Sequence, residues 1–171
     1  MNDDADLAAL AATLSAPPAF NVDFSLGFTD PRPGALLALW RSKCRGPLIP
    51  GRADFDPASL KPHLGWLCIA EVLPDADDLR YTLIGSAIVE VVGRDATRMR
   101  VSEVLPAPAL AIYRHLIAHP RPARTHGSVA WREKGFIQHE TLLLPLAADG
   151  VTVDRFLIEM AFPTLKGRGR G

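Results

Sequence analysis

Leu79, Tyr81 and Leu83 alternate with Arg80 and Thr82, the period of a strand with one buried face. Residues 66–73 just before them are apolar apart from Glu71, and the polar run 74–78 between the two predicts a hairpin turn. Three more β-like runs close the chain, at 125–132, 136–147 and 151–162, joined by Glu133-Lys134-Gly135 and Ala148-Asp149-Gly150. Helical spacing governs the rest. Leu36, Leu37, Leu39 and Trp40 form a stripe over 34–45, entered through Asp30-Pro31 and ended by Gly46-Pro47. Asp56-Pro57 opens a short helix toward Leu64. Ile88, Val91 and Val92 recur at helical spacing and stop at Gly93. Residues 102–105 predict a single turn, and 106–119 a longer helix with Leu110, Tyr113, Leu116 and Ile117 on one side.

Helices between two blocks of antiparallel strands predict an α+β domain over 34–163, with 34–45 as its leading helix. Residues 1–33 read as an arm and linker. A helix over 4–14 is stopped by Pro17-Pro18, and 21–30 shows no clear period. Residues 164–171 predict a disordered basic tail.

Charge narrows the partners. Lys plus Arg and Asp plus Glu number 19 each, so no electrostatic case exists for a nucleic-acid or membrane surface. The N-terminus is acidic, unlike a secretory signal, and no apolar run reaches the roughly 18 residues of a spanning helix. A cytoplasmic location is expected, with Cys44 and Cys68 as reduced thiols.

Several segments together resemble one family. They are Leu39-Trp40-Arg41, the run from Leu48-Ile49-Pro50-Gly51-Arg52 to Asp56-Pro57, Tyr81-Thr82-Leu83-Ile84-Gly85 leading to Glu90, Gly93-Arg94-Asp95, and Leu144-Pro145-Leu146 before Asp149-Gly150-Val151. From residue 34 to 162 the chain resembles the stand-alone PAS domains common in alphaproteobacteria, PAS family 5. The family usually carries a further glycine where this chain has Arg98. The resemblance implies a five-stranded antiparallel sheet, bent like a glove, with short helices over one face and an N-terminal helical extension. It also implies a bacterial sensory or regulatory module that acts in signal transduction through a protein partner. Such modules either hold a small molecule between sheet and helices or serve as ligand-free dimerisation and docking domains with a filled core.

Candidate chemistry follows from that frame. Tyr81, Leu83, Ile88, Val92, Tyr113, Ile117, Trp131, Phe156, Ile158 and Met160, with Phe162 beyond them, are expected to line an apolar ligand pocket. Leu36, Leu37 and Trp40 are expected either to pair across a homodimer or to cover the chain's own sheet. Haem ligation through His115 or His119, four residues apart on one helix, is disfavoured because that helix face reads as ordinary core. His126 and His139 read as solvent-facing strand residues, two ligands where zinc needs three or four. Flavin photochemistry lacks a suitably placed cysteine. No nucleophile elbow or phosphate loop occurs, so no enzymatic role is expected.

Overall fold

The computed structural model describes residues 19–130 and 135–163. Its elements, in chain order, are β1 Ala19–Asp23, α1 Pro31–Lys43, α2 Pro57–Leu60, β2 Leu67–Val72, β3 Leu79–Ile84, α3 Ser86–Val92, α4 Val101–Val104, α5 Ala107–Ala118, β4 Ala123–Ala130, β5 Phe136–Leu146 and β6 Arg155–Ala161. All strand pairs are antiparallel, in the order β1-β4-β5-β6-β2-β3.

The sheet therefore has one strand more than the expected five. Strand β1 lies in the region read as arm and linker, and it pairs with β4 from Ala19 opposite Ser128 to Asp23 opposite Arg124. Its signal is a two-residue alternation. Phe20 and Val22 are buried, while Asn21 and Asp23 take the other parity. The next segment is tied down as well. Thr29 donates its backbone N–H and its hydroxyl to Glu140, each at 2.9 Å. Arg124 bridges Asp23 at 2.6 Å and Glu140 at 2.8 Å. Burial alone would raise the Glu140 carboxyl, but the bonds from Arg124 and Thr29 outweigh it and hold that carboxyl below its ordinary value.

Helices cover both faces rather than one. Strands β5 and β6 require this because they are apolar on both sides. Leu143, Phe156 and Ile158 belong to one core, with α3 to α5 over it. Leu142, Leu144, Leu146 and Leu157 belong to a second core, built with Leu36, Leu37 and Trp40 of α1 and Leu60 of α2. Asp30 caps α1 by accepting from the Arg32 N–H at 2.9 Å. Trp40 donates its indole N–H to the Pro145 carbonyl at 3.0 Å, in mid-strand. The alternative of a partner-facing stripe is thus corrected. Leu36, Leu37 and Trp40 are spent on the chain's own sheet, at 0%, 5% and 5% exposed.

The α1 face also buries charge. Glu159 is fully enclosed, with His63 Nδ1 at 2.8 Å and an Arg32 guanidinium nitrogen at 3.7 Å. Burial, with a smaller push from Asp30, raises the Glu159 carboxyl, and His63 and Arg32 only partly pull it back.

Two loop details differ from the sequence reading. Strand β6 begins at Arg155, not at 151, because Asp149 accepts from the N–H groups of Val151 and Thr152 at 2.8 and 2.7 Å and holds them in a turn. Arg98 occupies the left-handed region at φ +73°, a conformation that glycine adopts more easily.

Candidate ligand-binding site

A cavity of about 310 Å³ lies between one sheet face and helices α3 to α5. Register decides which side chains reach it. Thr125 of β4, Thr141 of β5 and Met160 of β6 stand in one row across three strands. Leu143, Ile158, Cys68 and Ile84 form the next row. All seven line the cavity.

Of the expected pocket residues, Tyr81, Ile88, Val92, Tyr113, Ile158 and Met160 line it. Phe156 and Ile117 pack in the same core without reaching the cavity surface. Phe156 sits behind Tyr113, ring centroids 5.1 Å apart and edge to face. Phe162 turns to Trp66, with centroids at 6.1 Å. Trp131 lies outside the described residues.

Leu83 is a correction with a simple cause. Ala70 pairs with Tyr81 and Ile69 with Leu83, so one residue, Thr82, is extra on β3. This bulge shifts parity by one. Leu83 joins the face of Ile69, 36% exposed, and Ile84 takes its expected place in the cavity wall.

The wall is apolar with a few polar groups. Tyr81 and Tyr113 both line it, and burial raises both phenols above their ordinary values. Burial pushes the Cys68 thiol up to about 12, so it is a neutral, unreactive wall group at physiological pH. Arg94 is the charged member of the lining, with its guanidinium 3.2 Å from Met99 Sδ.

The histidines divide unexpectedly. His139 was read as solvent-facing; it is 2% exposed and lines the cavity. It faces Gly127 across β4, and Gly127 in turn faces Phe20 of β1. With no side chain at Gly127, the His139 and Phe20 rings approach to 5.3 Å. Nδ1 of His139 lies 2.9 Å from the Thr141 hydroxyl, and Nε2 is enclosed with no partner among the described residues. Burial holds the imidazole down at about 4, so the ring is uncharged at neutral pH. His126 takes the opposite face and sits 3.5 Å from Asp23. The missed signal is Phe20 with His139. Each is a single polarity change in a short run, and only strand pairing brings them together.

The histidines at the C-terminal end of α5 lie apart from the cavity. The His115 and His119 rings lie 4.8 Å apart, tilted by 36°, and neither lines the cavity. An apolar cavity of about 150 Å³ takes one benzene ring. On that scale 310 Å³ corresponds to about two such rings. Among the described residues, no three His, Cys, Asp or Glu side chains cluster as metal ligands. Among the same residues, no helix is long and apolar enough to cross a membrane.

A six-stranded antiparallel sheet with a cavity between one face and short helices defines an α+β domain. A family model described as a PAS domain matches residues 29–160. The chain belongs to that family, whose members are sensory signalling modules. No curated protein matches it in sequence. Among solved structures it is similar to an RNA-binding light-oxygen-voltage receptor, at 15% identity and TM-score 0.49, covering 70% of this chain and 37% of that one. A fungal LOV domain photoreceptor matches at 14% identity and TM-score 0.49, covering 74% and 88%. A sensory box histidine kinase/response regulator from Burkholderia thailandensis E264 matches at 13% identity and TM-score 0.41, covering 65% and 86%.

Proposed function

We propose that this PAS domain holds a small, mostly apolar molecule in the cavity and reports its occupancy to a signalling protein in the bacterial cytoplasm. The observation that carries this reading is the cavity itself. A docking domain with a filled core would leave no such space among Tyr81, Ile88, Tyr113 and Ile158. Helix α3 is the element best placed to respond, because Ile88 and Val92 touch the cavity while Gly93, at φ +80°, ends the helix. A ligand that fits one position of α3 better than another shifts the population between them. Homodimerisation, if it forms the output, uses a surface other than the buried stripe of α1.

Native mass spectrometry of the purified chain tests the reading. The expected spectrum shows a small additional mass that disappears on denaturation. The bare chain mass, unchanged after incubation with a small-molecule extract of the source cells, would contradict it.

A further inference from the structure

His139 is the polar group at the cavity that the fold leaves incomplete. Three other enclosed side-chain atoms lack partners among the described residues: an Arg32 guanidinium nitrogen, Arg124 Nε and Glu159 Oε2. All three belong to groups already engaged in ion pairs on the face away from the cavity. His139 alone among the four lines the cavity. An unpaired polar atom in an apolar wall is costly and is not retained by packing alone. Thr141 holds Nδ1 and so fixes the plane of the ring, which directs Nε2. The adjacent Thr125 and Thr141 hydroxyl-bearing side chains make this end of the wall its polar end.

Building on the cavity reading above, we infer that Nε2 of His139 anchors the ligand, and that the ligand is an uncharged molecule of about two rings carrying one hydrogen-bonding group. The uncharged class follows from the surroundings. The ring is buried and neutral, so an ionised group brought against it would lose hydration without gaining a counter-charge from the imidazole. Nε2 is enclosed, and the Phe20 ring lies against His139. Binding therefore turns the Phe20 side chain aside, on a sheet-edge strand where such movement is least constrained.

The test uses three probes of one shape: 2-naphthol, naphthalene and 2-naphthoate, titrated into the whole chain by calorimetry. Wild type is expected to bind 2-naphthol about fivefold more tightly than naphthalene, the scale of one hydrogen bond, and more tightly than 2-naphthoate. His139→Phe is expected to erase that preference while binding naphthalene about as well as wild type does. A preference that survives in His139→Phe would overturn the anchor, and a preference for 2-naphthoate would overturn the uncharged class. Should the variant fail to fold, nitrogen-15 spectra of wild-type imidazoles decide. The His139 Nε2 resonance is expected to move with 2-naphthol and not with naphthalene, and an unmoved resonance refutes the anchor. If no probe binds wild type, the cavity reading falls with the anchor. If all bind equally, only the anchor falls.

Discussion

Gly85→Ala unfolds the domain or costs it about 3 kcal/mol or more, beyond the usual range for overpacking because the clash is with backbone. A Cβ at Gly85 would sit 2.3 Å from the Gly65 carbonyl oxygen, 2.5 Å from its carbon and 2.6 Å from the Leu64 carbonyl oxygen. None of these is a flexible side-chain end. Gly85 cannot retreat either, because its N–H donates to Leu67 at 2.7 Å where β3 hands over to α3. Its φ is −64°, so the glycine is needed for close approach and not for a left-handed turn. Gly34→Ala is the matched control. Nothing lies within 4 Å of its Cβ, and its place inside α1 favours alanine by up to about 1 kcal/mol. Urea unfolding of the two variants should move in opposite directions. A Gly85→Ala midpoint at the wild-type value would mean that the Leu64 and Gly65 backbone does not approach Gly85 this closely.

The second large effect is on pH. His139 falls from its ordinary 6.5 to about 4 in the folded chain, chiefly through burial, with His126 and Arg124 opposing its charge and Glu140 favouring it. The unfolded chain therefore binds a proton between those values that the folded chain refuses. Stability contributed by this group is complete above pH 6.5 and is lost as pH falls toward 4, by up to about 3 kcal/mol at 1.36 kcal/mol per pH unit. Glu159 acts in the opposite sense. Its raised carboxyl makes stability fall as pH climbs from 4.5 through its folded value. The difference between wild type and His139→Phe removes that shared contribution. This difference, followed by chemical denaturation from pH 7 to pH 4.5, should shrink steadily in wild type's disfavour. Parallel stability curves for the two proteins would show that His139 is not buried neutral.

Legibility in the sequence followed the range of the interactions. Helix α3 was readable despite its β-branched residues because Gly93 supplies a left-handed stop at φ +80°, a local event. The cavity wall was readable wherever strand parity runs unbroken, as from Ile158 to Met160. It failed at Leu83, where one extra residue opposite β2 reverses the faces, and no local pattern marks Thr82 as that residue. Strand β1 carried its alternation in Phe20 and Val22, but five residues is too short a run to outweigh the prolines before it and the aperiodic stretch after it. The buried role of His139 was not legible at all. It depends on Gly127 one strand away and on Phe20 two strands away, the latter joined only by pairing across more than a hundred residues of chain.

Chemical-shift mapping with 2-naphthol asks most directly whether the domain's inner space takes a guest. The expected map concentrates on Ile88, Ile158, Met160 and Tyr113, and leaves Leu144 and Leu157 beneath α1 unmoved. A saturated sample with no shifts at those four residues, or with shifts gathered on the exposed Leu48 and Leu64, would contradict a ligand-holding PAS domain.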